Sequence, residues 1–197
     1  MRVLGAVIAG GLSSRMAGTE KAFLVLDGVS LLQRVISRIS FQVEDLIINA
    51  NGDATRFHDM KKAVIPDHLK TLNTPLAGLH AALRRGEALG FDAVLTVPTD
   101  TPFLPLDLVA RLAEAGQFCG AAVATSGGQT HHLTGLWSTA MFKTLDIAIA
   151  DRGLYRMMDV ANIFEVAKAD WTMEPHDPFF NINDKLDLKT AEAMLGH

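Results

Sequence analysis

Val3-Leu4-Gly5-Ala6-Val7-Ile8-Ala9-Gly10-Gly11-Leu12-Ser13-Ser14-Arg15-Met16-Ala17-Gly18-Thr19-Glu20-Lys21 is the stretch whose reading decides the fold. Its first seven residues are apolar with no polar face, the pattern of a strand buried in a parallel sheet. The run stops at Gly10-Gly11 and passes into a polar loop that carries Arg15 and Lys21. Glycines at such an edge have no Cβ, so backbone N–H groups can approach a ligand closely. Successive N–H groups of a glycine turn form an anion nest, and the two cations add fixed positive charge. The stretch therefore reads either as a nucleotide triphosphate site at the carboxyl end of a strand or as an ordinary strand-to-helix turn with solvated cations. Two well-defined phosphate loops are excluded by spacing. No Gly-x4-Gly-Lys-Ser/Thr occurs, and no Gly-x-Gly-x-x-Gly follows the first strand.

Composition narrows the class. The 197 residues correspond to one large domain or at most two small ones. Hydrophobic residues make up 49% and charged residues 20%, with no apolar run long enough to cross a membrane, so a cytoplasmic protein is expected. A net charge of -4 implies no general attraction to nucleic acid, and any basic site must be local. Cys119 is the only cysteine, which rules out an internal disulfide and a multi-cysteine metal centre.

Downstream, strand and helix signals alternate. Ser30 is placed to cap a helix whose apolar face is Leu31, Leu32, Val35, Ile36 and Ile39. Leu46-Ile47-Ile48-Asn49 reads as a second core strand, Ala54 to Met60 as a weak helix, and Val64-Ile65-Pro66-Asp67 as a short strand. Pro75 suits the first turn of the next helix. Ala93-Val94-Leu95-Thr96-Val97 is a further core strand, and Asp107 is the expected cap of a helix over Leu106 to Ala115. This alternation predicts a parallel sheet covered on both faces. Ala121 to Ala124 and Leu133 to Trp137, around Gly127-Gly128, predict a hairpin and hence an antiparallel member. Helices are expected over Met141 to Ile149, Arg152 to Met158 and Leu186 to Leu195, the last capped by Asp184. The fold class is α/β: one three-layer αβα domain over 1–197 with a mostly parallel, Rossmann-like sheet.

Ligands of such sheets bind beyond the carboxyl ends of the strands, so Lys21, Asn49 and Asp67 are expected to share one crevice. Alone, Asn49 reads equally as a turn-former and Asp67 as a loop carboxylate. Asp100, between Pro98 and Pro102, is presented rigidly at a strand end and suits a Mg²⁺ ion, which takes one or two protein oxygens and completes its shell with phosphate and water. Gly78 fits either close approach of a bulky substrate or tight helix–sheet packing. His131-His132, being adjacent on a strand, point to opposite faces and read as structural or substrate-lining. Arg152 and Arg156, four apart, share one helical face, which is either solvated or suited to an anionic phosphate.

Gly10-Gly11-x3-Arg15-Met16-x4-Lys21 after an N-terminal strand resembles the signature loop of the Mg-dependent nucleotidyltransferases. Ile8-Ala9-Gly10-Gly11 with Arg15-Met16 is most similar to the molybdenum cofactor guanylyltransferases. Asn49-Ala50-Asn51, Pro75-Leu76-Ala77-Gly78, Pro98 to Phe103 and Asn181-Ile182-Asn183 follow in that family's order, although Thr74 stands where the family usually has glycine. The resemblance implies a fold like the nucleotide-diphospho-sugar transferases, with a nucleotide-binding half over 1–115 and a second-substrate half over 116–197. It implies GTP and the molybdopterin cofactor as substrates, Mg²⁺ as cofactor, acceptor molybdoenzymes or their chaperones as partners, and a monomer. Ile8, Ala9, Gly10, Gly11, Lys21, Asn49, Asp67 and Asp100 then fall at nucleotide-binding positions, with Arg15, Lys21 and Asp100 catalytic. Gly78, Arg152, Arg156, Asn181 and Asn183 fall to the second substrate, and Asn183 joins Asp100 as a metal ligand. Gly10, where related cytidylyltransferases tend to carry alanine, leaves room for a purine. Transfer of another nucleotide or to another phosphate acceptor, and a non-catalytic cofactor-binding module, are the competing readings.

Overall fold

The structure, a computed structural model, describes residues 1–9, 15–16, 19–161 and 163–196, with only the backbone of 15, 16 and 19. Strand β1, Val3–Ile8, is buried at every position, as its unbroken apolar run requires. The other strands of its sheet are β2 (Asp45–Asn49), β3 (Ala63–Ile65), β4 (Ala93–Pro98), β5 (Ala121–Ser126), β6 (Gln129–Ser138) and β7 (Ala167–Trp171). They lie in the order β7-β5-β6-β4-β1-β2-β3. Every pairing is parallel except the two made by β6, which runs against β4 and β5. The expected hairpin is therefore present, and it supplies the antiparallel member.

Side chains of successive strand residues point to opposite faces, and the core divides accordingly. Val3 and Val7 pack with Leu32, Val35 and Ile39 of α1 (Leu31–Ile39) and with Leu108 and Leu112 of a helix over Leu108–Ala115. Leu4, Ala6 and Ile8 pack on the other face with Leu76, Leu79 and Leu83 of α2 (Pro75–Ala88). The helix over Leu108–Ala115 is α3. The α2 face also takes Leu145 and Ala148 of α4 (Phe142–Arg152) and Met157 and Val160 of α5 (Met157–Ala161). A smaller cluster of Leu26, Leu31, Phe103, Ile182 and Ala191 seats α6 (Lys185–Leu195). Among the described residues, no helix is long and apolar enough to cross a membrane.

Local chemistry explains the boundaries. The Ser30 hydroxyl accepts the Gln33 N–H at 3.2 Å and starts α1. Asp184 and Asp187 form a reciprocal capping box at the start of α6. The weak helix expected over Ala54 to Met60 is present as a 3-10 helix, started by Asp53. After Lys21, a two-residue strand, Val25–Leu26, pairs with Val29–Ser30. Two expectations are corrected. Asp107 occupies the cap position of α3, but its carboxylate accepts from Trp171 Nε1 at 3.0 Å instead of capping. The helix expected over Arg152 to Met158 does not form. Gly153, at φ 63°, turns the chain left-handed and ends α4 at Arg152, so Arg152 and Arg156 share no helical face.

Gly78 serves packing. A Cβ there would stand 2.6 Å from Asn49 Oδ1 and 2.8 Å from Ile8 Cγ2, so only glycine lets α2 lie this close to the sheet. The glycine is buried against strand side chains, which favours the packing alternative of the two that the sequence left open. Gly78→Ala is expected to lower stability by about 1–3 kcal/mol, the usual cost of overpacking, seen as a lower urea midpoint. An unchanged midpoint would return Gly78 to a ligand role.

Candidate active site

Three side chains distant in sequence meet at the carboxyl edge of the sheet. Lys21 Nζ donates to Asn183 Oδ1 at 2.7 Å and lies 3.3 Å from Asp100 Oδ2. Each is held by a different element. Lys21 opens a 3-10 turn, Lys21–Phe23, which is fixed by buried Ala22 and by the Phe23 ring 5.4 Å from that of Phe57. Asp100 follows β4 in a turn stiffened by Pro98 and Pro102. Its carbonyl accepts the Ile182 N–H at 2.9 Å, which ties the loop of Asn181 to Asn183 directly to the metal-site candidate. On its other side, the Asn183 N–H donates to Asp187 at 2.7 Å. Fully buried Ile182 anchors that loop in the core between Asn181 and Asn183.

The electrostatics of the trio are unequal. Burial pushes the Asp100 carboxyl above its ordinary value, and the Lys21 charge and hydrogen bond reverse this only in part. Asp100 Oδ1 is buried without a hydrogen-bond partner among the described residues. The carboxylate of Asp100 and the amide oxygen of Asn183, which share one ammonium, are both hard donors, which fits Mg²⁺. Among the described residues, no group of three or more His, Cys, Asp or Glu side chains could hold a metal ion. Such a pair would leave most of the ion's shell to phosphate and water.

A second cluster lies on the other side of β1. Ile8 pairs in register with both Asn49 at the end of β2 and Pro98 at the end of β4, so the clusters flank one strand end. The Ala9 N–H donates to the Asn49 carbonyl at 2.8 Å. Asn49 Nδ2 donates to Asp67 Oδ1 at 3.0 Å, and Asn51 Nδ2 donates to Asp67 Oδ2 at 2.7 Å. Asn51 Oδ1 accepts the Asp67 N–H at 3.0 Å. Asn49 and Asp67 thus meet, but Lys21 joins Asp100 and Asn183 rather than them. Gly10 and Gly11 lie outside the described residues, as does the Arg15 side chain. Arg152 and Arg156 are exposed, and among the described residues neither guanidinium bonds another side chain.

A cavity of about 420 Å³ opens beside Asp100, with Asn181, Phe180, Thr101, His131 and His132 in its wall. Strict strand alternation would put the two histidines on opposite faces. In β6 the register slips between His131, opposite Ala124, and Gly135, opposite Val123. This bulge breaks the alternation and lets both residues line one space. Thr96 anchors it from β4, donating to the Leu133 carbonyl at 2.7 Å and accepting from Trp137 Nε1 at 2.9 Å. Thr101 and Asn51 lie within stretches that follow the family's order, but the sequence assigns no role to either, and each shows one only through its partners or its cavity.

The family model for the MobA-like NTP transferase domain matches residues 5–167. A molybdenum cofactor guanylyltransferase of Cereibacter sphaeroides is 42% identical over 196 residues, covering 99% of this chain and 98% of its own. The chain belongs to the molybdenum cofactor guanylyltransferase family. A guanylyltransferase of Bradyrhizobium sp. strain ORS 278 is 38% identical, covering 98% of this chain and 92% of its own. The fold is that of nucleotidyltransferases. The crystal structure of molybdopterin-guanine dinucleotide biosynthesis protein A from Archaeoglobus fulgidus superposes with a TM-score of 0.74 at 23% identity, covering 98% of both chains. That of 2-C-methyl-D-erythritol 4-phosphate cytidylyltransferase from Thermus thermophilus does so at 0.71 and 20%, covering 100% of both.

In this guanylyltransferase-family chain the raised Asp100 value has a sign. Its protonated form is favoured by folding, so ionisation as pH rises through the folded value removes stability. Asp100→Asn is therefore expected to raise the melting temperature at pH 7 without ligands, with the gain fading as pH falls below about 4, where the unfolded state becomes protonated as well. A lower melting temperature for that variant at pH 7 would show that the Lys21 contact outweighs burial.

Proposed function

We propose that the chain transfers GMP from GTP to the phosphate of molybdenum-bound molybdopterin, forming the guanine dinucleotide cofactor and pyrophosphate with Mg²⁺ bound. The observation that carries this is the meeting of Lys21, Asp100 and Asn183 at the strand ends, in a chain of this family. The acceptor is a phosphomonoester with a second pKa of about 6, so it is largely ionised at neutral pH. It needs no general base. Its oxygen forms the new bond to the α-phosphorus, the α–β bridging P–O bond breaks, and that electron pair leaves on pyrophosphate.

The chain's task is to bring two polyanions together and stabilise the charge that moves. Asp100 and Asn183 would hold the ion, which when bound neutralises phosphate charge. Lys21 releases its contacts with these two oxygens and turns its ammonium to the departing pyrophosphate, and Arg15 is placed in sequence to assist. The flexible four-carbon stem of lysine suits such a move. Asn49, Asn51 and Asp67 present a fixed polar cluster for the nucleoside.

Pyrophosphate release, followed with molybdopterin, Mg²⁺ and each nucleotide triphosphate in turn, tests the reading. Turnover is expected with GTP, lost on chelation and restored by Mg²⁺. Lys21→Ala and Asp100→Ala are each expected to lower kcat by about 10²-fold or more, as removal of one charge-stabilising group does. Turnover with CTP alone would move the chain to cytidylyl transfer, and near-normal kcat in either variant would refute the roles of Lys21 and Asp100.

A further inference from the structure

The cavity beside Asp100 is built for a ligand unlike a phosphate. Asp100 and Asp177 both line it, and among the described residues in its wall there is no lysine or arginine. Lys21 offsets the Asp100 charge from 3.3 Å, whereas Asp177 has no paired cation among the described residues, so that part of the wall disfavours an anion. The wall is instead aromatic and polar. Phe179, buried beneath it, stacks against the His131 ring at 4.6 Å and meets Trp171 edge-on at 5.3 Å. The Thr101 hydroxyl, on a residue 3% exposed, has no hydrogen-bond partner among the described residues. A volume of about 420 Å³ falls within the range of small-molecule sites.

Hydrogen bonding fixes what His131 offers. Ser126 Oγ lies 2.8 Å from both His131 Nε2 and Asp177 Oδ1. A hydroxyl has one proton and a carboxylate only accepts, so Ser126 donates to Asp177 and accepts from Nε2–H. Burial pushes the imidazole below its usual value, against the pull of the Asp177 charge, so the ring is neutral at neutral pH. Nδ1 then carries a lone pair and has no partner among the described residues. His131 thus offers an acceptor, which selects an N–H donor.

We propose that this pocket receives the pterin ring system of the acceptor, and that His131 reads it by accepting a hydrogen bond at Nδ1 from a ring or exocyclic N–H. The inference rests on the guanylyl-transfer reading for the ligand's identity. It places the ring on the β5–β6 side of Asp100, opposite the Asn49–Asp67 cluster, with the acceptor phosphate directed toward Lys21. His131, rather than the exposed Arg152 and Arg156, then determines acceptor specificity.

The test uses the full chain with two variants. His131→Phe keeps an aromatic ring against Phe179 but removes the acceptor, and His131→Asn returns an acceptor oxygen near the position of Nδ1. Molybdopterin binding is measured by calorimetry without GTP, and KM for both substrates by pyrophosphate release, with melting temperature reporting the fold. His131→Phe is expected to raise Kd and KM for molybdopterin about ten-fold, the usual consequence of leaving one donor unpaired. KM for GTP should stay unchanged, and His131→Asn should recover part of the loss. Unchanged molybdopterin Kd in a folded His131→Phe, or an equal rise in KM for GTP, would overturn the proposal. Wild-type binding of molybdopterin that weakens in His131→Phe, without any pyrophosphate release from GTP, would refute guanylyl transfer and leave the pocket assignment standing.

Discussion

A carboxylate kept out of water with one oxygen unpaired is the constraint on which the rest of this structure depends. Burying Asp100 is unfavourable, and Lys21 offsets that cost only in part. The surroundings therefore have to enforce the arrangement. Two prolines brace the turn, a core residue of the 181–183 loop bonds its carbonyl, and a capping box holds that loop to α6. Helix α6 and the Lys21 turn are thereby joined through one acidic residue just past β4. Fold stability and chemistry oppose each other here, as they commonly do where a site must be ready for charge before the charge arrives.

The sheet distributes tasks by strand order. β1 lies between β2 and β4, so its carboxyl end separates the Asn49–Asp67 cluster from Asp100. One side of that end is rigid amide and carboxylate chemistry suited to a nucleoside. The other side is the aromatic and acidic pocket of β6, the 98–101 turn and the 177–181 turn. Between them lie the lysine and the orphaned oxygen, where two phosphates would have to meet.

Much of this was legible in the residues. The apolar run of β1, the Ser30 and Asp184 caps and the Gly127-Gly128 turn each declare a local structure that tertiary packing then keeps. Placement just past a strand pointed to Lys21 and Asp100, though it grouped Lys21 with Asn49 and Asp67, and Asn183 was legible only through the family resemblance. The failures are equally local in cause. The four-residue spacing of Arg152 and Arg156 implied a shared face only if the helix continued, and Gly153 in the left-handed region ends it. Gly78 read equally as a ligand or a packing glycine because its neighbours from β1 and β2 are over twenty residues away in the chain. The joint placing of His131 and His132 depends on a bulge anchored by Thr96 from another strand, and no two-residue periodicity can announce that.

The reversal of β6 has a consequence for how such proteins diversify. Because it runs against its neighbours, the start of β6 arrives at the same rim as the ends of the parallel strands, and the hairpin tip hangs over that rim. Residues 127–134 can therefore be lengthened, shortened or recoloured as a cassette, while the lysine, the aspartate and the amide cluster stay where they are. A lineage could exchange one acceptor molecule for another by editing a single ribbon and inherit the nucleotide chemistry intact.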